Sequence, residues 1–211
     1  MHRIDVSTWP RQSHYRFYRG LEFPYLGITA PVDVRALVEA RAQRGLPLFA
    51  GMLHRVMLAA NDVPELRQRV RLGGEGEEVV EHDRVHPGFT VAGAGGLFAF
   101  AAVDLDADLP RFVQAVAAAS EARRLDVGLQ PFEGQRDDLI FCSCVPWVAF
   151  THVTHPVSTS RPDTVPRIAW SRIEAGRCSV NLQAHHGLVD GAHVGRFFER
   201  LAEVLSAFDD A

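Results

Sequence analysis

The chain has 211 residues, 47% of them hydrophobic and 23% charged, with a formal net charge of −4. That length and composition fit one domain over residues 1–211 with a sizeable core, and the acidic balance leaves no electrostatic footprint for nucleic acid. All 22 basic residues are arginines, which excludes a Schiff-base or P-loop lysine, and three cysteines are too few and odd in number for a disulfide framework.

The opening MHRIDVSTWPRQ lacks an apolar signal core, and no apolar run approaches membrane-span length, so a cytoplasmic protein without a membrane partner is expected. After Trp9, RQSHYRFYRG suits a short helix, with Pro10 in the first turn and Gly20 as its stop. FPYLGITAPVDV (23–34) reads as extended chain followed by a turn at Pro31. VDVRALVEARAQRG (32–45) places Val32, Leu37, Val38 and Ala42 near helical spacing, stopped by Gly45. LFAGMLHRVMLAANDVPEL (48–66) is a more apolar and buried helix ending between Asn61 and Pro64. RLGGEGEEVVEHD (71–83) is a polar glycine-rich turn and a short strand, and HPGFTVAGAGGLFAFAAVDL (86–105) one or two strands broken by a glycine run. DLPRFVQAVAAASEARR (108–124) is an amphipathic helix with proline in its first turn, and residues 126–138 form a loop. LIFCSCVPWVAFTHV (139–153) is strand-like until Pro146, and residues 154–166 are a polar, proline-bounded loop. Residues 167–187 make a hairpin turning at Ala175–Gly176, and 190–208 a helix with Val194, Phe197, Phe198, Leu201, Val204 and Leu205 on one stripe. The mixture predicts an α/β fold, a mixed β-sheet covered by helices.

The segment AHHGLVDGAHVGRF (184–197) carries the chemistry. A strand delivers His185 and His186 to its end, facing opposite sides, so one of them is able to face a pocket. An imidazole is the natural general base near neutral pH. Asp190 suits an N-cap for the following helix, and on spacing alone these residues equally fit a purely structural turn. Adjacent strand histidines point apart, and Cys142 and Cys144 supply two ligands only, so no metal site is expected and these cysteines read as core.

HHGLVDG followed by AHVGRF resembles the signature of the chloramphenicol acetyltransferase family. Shorter forms of the pattern also occur in peptide-synthetase condensation domains and dihydrolipoyl acyltransferase cores. STWPRQSHYRFYR, PELR (64–67), VHPGFTV (85–91) and SCVPWVAF resemble further segments of the family in the same order, so the likeness spans almost the whole chain. It implies a two-layer sandwich and transfer of an acetyl group from acetyl-CoA to a hydroxyl of chloramphenicol. Acetyl-CoA is a cosubstrate there, and no tightly bound cofactor is implied. The alternatives are a biosynthetic acyl-CoA acyltransferase acting on another alcohol or amine, and a dihydrolipoyl acyltransferase-like core.

Residue by residue, the resemblance makes His186 the general base, with direct attack on the thioester and no acyl-enzyme. It makes Ser143 the hydroxyl that bonds the tetrahedral oxyanion, and Asp190 and Arg11 a charge-assisted bridge beside the base. Tyr18 and Phe98 match pocket residues, and Leu26 falls where another aromatic residue often stands. Trp147 and Arg172 match the coenzyme end. A homotrimer with active sites at subunit interfaces is implied. The chain departs from the family at Ala169, where a hydroxyl residue is usual, at the glycine-rich AGAGGLFAF, and in the loop 154–166. Those departures surround the acceptor pocket.

Overall fold

The computed structural model of the chain describes residues 1–73, 76–126, 129, 136–159 and 162–208. A short strand β1 (His2–Ile4) precedes helix α1 (Gln12–Tyr18) and strand β2 (Tyr25–Asp33). Helices α2 (Arg35–Arg44) and α3 (Leu48–Asn61) follow, with a 3₁₀ turn at Pro64–Arg67. Strands β3 (Gln68–Gly73), β4 (Gly76–Glu81), β5 (His86–Ala92) and β6 (Phe98–Ala102) lead to helix α4 (Leu109–Arg123). Strands β7 (Leu139–Val145), β8 (Arg167–Ser171) and β9 (Arg177–His185) and helix α5 (Gly191–Ser206) complete the order.

Local chemistry sets the boundaries. Asp108 caps α4 by accepting the Arg111 amide at 2.9 Å, and Pro110 occupies a first-turn position that has no use for an N–H. The β8–β9 hairpin turns through Ala175 and Gly176 with φ of 49° and 75°. Two consecutive positive φ values give the primed turn whose twist matches the strands it joins. On α5, Val194, Phe197, Leu201, Val204 and Leu205 are buried as the stripe predicts, with Phe198 packed partly against the core. Each fully buried side chain of this size contributes about 1.5–3 kcal/mol of transfer free energy.

The main sheet has six strands in the order β2-β9-β8-β7-β5-β6, and a second sheet has the order β1-β4-β3. In the main sheet β5 pairs parallel with β7 and β7 with β8, while its other neighbours are antiparallel. This is the predicted mixed sheet with helices. One face is apolar: Cys178, Val180, Leu182 and Ala184 of β9, Ile168 and Trp170 of β8, Ile140 and Cys142 of β7 and Phe89 of β5 join the core with α3 and α5. The intervening positions of the same strands, Asn181, Gln183 and His185, Ala169, Ser143 and Thr90, fall on the other face.

The turn expected at Pro31 is not there. β2 continues through Pro31, which pairs with Ser179. β2 is the sheet's edge, so a residue without an N–H costs no ladder bond on its open side. Strands β1 and β3 are absent from the sequence reading. β3 carries Arg69, whose guanidinium is fully buried yet donates to four backbone carbonyls, those of Leu66, Gln68, Asp137 and Leu139. That grip ties the entry of β7 to the second sheet. Of the predicted loops and turns, Gly74, Glu75, residues 127, 128 and 130–135, Ser160 and Arg161 lie outside the described residues.

Candidate active site

His185 ends β9 and His186 begins the turn into α5. The two rings part company there. His185 is buried; its Nδ1 accepts the Gly187 amide at 3.1 Å, and burial pushes its pKa down to about 4, so it stays neutral. His186 is half-buried, and its ring stacks on Tyr18 with centroids 4.1 Å apart. Its Nδ1 lies 3.0 Å from the Val189 carbonyl oxygen. A carbonyl only accepts, so Nδ1 carries the hydrogen and Nε2 holds the free lone pair. That is the tautomer of a base.

Asp190 fixes this turn. Its carboxylate caps α5 by accepting the Ala192 amide at 3.0 Å and the His193 amide at 3.4 Å. It also accepts from Arg11 Nη1 at 2.5 Å, while Arg11 Nη2 reaches the His186 carbonyl at 3.4 Å. Partial burial works against the charge on Asp190, but the Arg11 bond and the nearby His193 outweigh it and hold its pKa below the usual carboxylate range. The Arg11–Asp190 pairing expected from the sequence is therefore present, and it joins α1 to the start of α5.

Ser143 sits elsewhere. Its Oγ is 3.3 Å from Thr90 Oγ1 on β5, a neighbour the sequence reading does not single out. On its other side Ser143 pairs with Ala169, which in turn pairs with Asn181 on β9. His186 lies five residues beyond Asn181 and two strands away. At about 3.3 Å per residue and 4.8 Å per strand, Ser143 and His186 are roughly 20 Å apart in one chain. Trp147 and Arg172 are brought together at the far end of the sheet, where Arg172 Nη1 donates to the Trp147 carbonyl at 3.2 Å and its Nε to Glu174 at 3.1 Å. Phe98 lies at that end too, 48% exposed at the start of β6, and Trp147 is 75% exposed. Leu26 pairs with Ala184 on β2's inner side and packs partly against the helix-side core.

The set thus falls into two groups: His186, Tyr18, Arg11 and Asp190 at one end of the sheet, and Ser143, Phe98, Trp147 and Arg172 in its middle and at its other end. Burial raises the Cys144 thiol to about 11 and the Cys178 thiol to about 12, which keeps both protonated at neutral pH. Two further residues belong to the His186 end. His193 and Glu65 pack behind Asp190, with His193 Nε2 3.3 Å from Glu65. A histidine three residues into a helix is easily passed over, because the usual partner in a capping box is Glu or Gln.

A family model described as chloramphenicol acetyltransferase matches residues 1–202. The chain is 25% identical over 210 residues to chloramphenicol acetyltransferase 3 of Escherichia coli, covering 97% of each. Among solved structures, a chloramphenicol acetyltransferase superposes with a TM-score of 0.82 at 25% identity, covering 97% of this chain and 100% of that one. A probable dihydrolipoamide acetyltransferase from Listeria monocytogenes shares the fold, with a TM-score of 0.65 at 14% identity over 99% of this chain and 94% of that one.

Proposed function

This chain belongs to the chloramphenicol acetyltransferase family, a family of acyltransferases that use acetyl-CoA, and from that premise we propose that it acetylates a hydroxyl of chloramphenicol with His186 as general base. The observation that carries this reading is the Nδ1 bond from His186 to Val189, which leaves Nε2 free to take a proton. Nε2 removes the proton from the acceptor hydroxyl as its oxygen attacks the thioester carbonyl. The carbon becomes tetrahedral, and the Ser143 hydroxyl donates to its oxyanion. Collapse breaks the C–S bond, and the proton on His186 passes to the coenzyme thiolate, restoring the free base. No acyl-enzyme forms. An alcohol is too weak an acid to ionise unaided at pH 7, so the base and the holding of both reactants together supply most of the acceleration.

A separation of roughly 20 Å forbids His186 and Ser143 of one copy from touching one substrate. In this reading the His186 end of one copy meets the Ser143, Phe98 and Trp147 end of the next. That is a head-to-tail contact, of the kind that makes a ring when its rotation closes, and we assign a homotrimer with interface sites. Trp147 and Arg172 then take the coenzyme, and Tyr18, Leu26 and Phe98 the acceptor. Three free cysteines suit a reducing cytoplasm.

A second reading keeps the chemistry and changes the acceptor to another alcohol or amine. Ala169, buried directly beside Ser143, favours it, because a position that carries a hydroxyl in the resembled family here offers a methyl. The test is thiol release from acetyl-CoA with and without chloramphenicol. Release that depends on chloramphenicol and saturates establishes reaction and acceptor. Release only with other alcohols or amines selects the second reading, whereas acetyl transfer to dihydrolipoamide, which exchanges one thiol for another and is read from the mass of the acetylated product, selects a dihydrolipoyl acyltransferase-like core.

A further inference from the structure

The Val189–Asp190 peptide is held from both sides. Its carbonyl accepts the His186 Nδ1–H at 3.0 Å, and its N–H donates to His193 Nδ1 at 3.0 Å. Because His193 Nδ1 accepts, its Nε2 carries the hydrogen, and that nitrogen lies 3.3 Å from the Glu65 carboxylate. The result is one unbroken line: Glu65 carboxylate, His193 imidazole, peptide 189–190, His186 imidazole. Both intermediate groups are polarisable and both are oriented the same way. Glu65 comes from the 3₁₀ turn at Pro64–Arg67, and its other oxygen accepts from Arg196 Nη2 at 2.8 Å.

We propose that Glu65 and His193 are positioning residues that polarise the Val189–Asp190 peptide and through it raise the basicity of His186. The proposal rests on His186 being the base. In many base-dependent sites a carboxylate bonds the imidazole directly. Here the carboxylate is withdrawn behind a second imidazole and a peptide group; two successive hydrogen bonds and the electrostatic approach of Glu65 to His193 carry its influence forward, since successive bonds in a partly buried line strengthen one another. Charge developing on His186 as it accepts a proton draws its Nδ1–H towards Val189, the peptide N–H becomes a better donor to His193, and His193 leans on Glu65. No proton leaves its own nitrogen. Among the described residues, the charged and titratable groups against His186 are Arg11, Tyr18 and His185, with Asp190 bonded to Arg11 behind them. Around His193 they are Glu65, Asp190, Arg11 and Arg196. Of these Glu65 and Arg196 lie on the far side of His193 from His186, while Asp190 lies 3.3 Å from His193 Nδ1 on the near side and is unchanged in the variants below.

The experiment follows the ring Cε1–H of His186 by NMR with pH, using histidine-labelled protein without substrates. Glu65→Gln keeps the shape and a hydrogen-bonding oxygen but removes the charge, and it is expected to move the His186 titration to lower pH by about 0.5 unit. Arg196→Gln frees Glu65 from its counter-ion and is expected to move it the other way. His193→Asn places an amide oxygen where Nδ1 stood, which keeps the helix cap, but is too short to reach Glu65. In that background Glu65→Gln is expected to have no effect. A Glu65→Gln titration that superimposes on the wild type overturns the proposal. So does a shift that survives undiminished in the His193→Asn background, which marks a through-space charge effect. In turnover, Glu65→Gln should lower kcat and leave both KM values unchanged. If His186→Ala proves fully active, the function reading fails, while the titration still reports on the relay.

Discussion

Replacing Asp190 by asparagine separates its two jobs. Asparagine caps a helix about as well as aspartate, so the bonds to the Ala192 and His193 amides survive and α5 keeps its start. The charge-assisted bond to Arg11 becomes a bond to a neutral oxygen. Hydrogen bonds to charged groups contribute about 1.5–3 kcal/mol, and leaving a buried charge unpaired costs about 3–5 kcal/mol. Arg11 and Asp190 are 15% and 33% exposed at their side chains, so water screens part of the loss. Without the carboxylate charge Arg11 keeps the 3.4 Å contact of its Nη2 with the neutral His186 carbonyl, and its Nε is already buried without a partner among the described residues. We expect Asp190→Asn to cost about 2 kcal/mol and Asp190→Ala about 1 kcal/mol more, for the lost cap. The assay is urea unfolding at fixed protein concentration, because an oligomer's stability depends on it. The sign with pH is set as well: a carboxylate held below its ordinary 3.8 stabilises above that value and loses its contribution as pH falls through its folded pKa. Wild type and Asp190→Asn should therefore converge in acid. An Asp190→Asn protein within about 0.5 kcal/mol of wild type at pH 7 would refute the argument that this pair locks the turn.

His186→Ala should abolish turnover while leaving the circular dichroism spectrum and melting temperature close to wild type; normal turnover in a folded variant removes it as the base. Ser143→Ala should lower kcat by about a hundredfold, with KM for either substrate little changed, in steady-state kinetics. His185 is neutral in the fold and is held to about 4, against about 6.5 unfolded. The unfolded chain therefore binds the extra proton in that window, and stability should fall by up to about 3 kcal/mol as pH drops from about 6.5 to about 4. His185→Gln should flatten that slope in a denaturation series, and an unchanged slope counts against the burial argument.

The long, periodic elements were legible because their pattern and their burial coincide. The stripe from Val194 to Leu205 and the proline-marked first turn of α4 read directly from the sequence. So did the Arg11–Asp190 pair, through its resemblance to a known motif. What was not legible depends on partners distant in the chain. Pro31 reads as a turn until the strand is known to be an edge. β3 reads as polar because its arginine is satisfied by carbonyls from Asp137 and Leu139, some 70 residues away. Thr90 gains meaning only once β5 lies beside β7, and His193 only once Glu65 is behind it.

The distance along the sheet between Ser143 and His186 has a genetic consequence. If each site draws its base from one copy and its oxyanion donor from the next, two different dead alleles repair each other. A His186→Ala copy still offers a good Ser143, and a Ser143→Ala copy still offers a good His186. Random assembly of the two in equal amounts places the intact halves face to face in about one site in four. Cells carrying both defective genes would then regain about a quarter of the normal activity per site, while either gene alone gives about a hundredth or less.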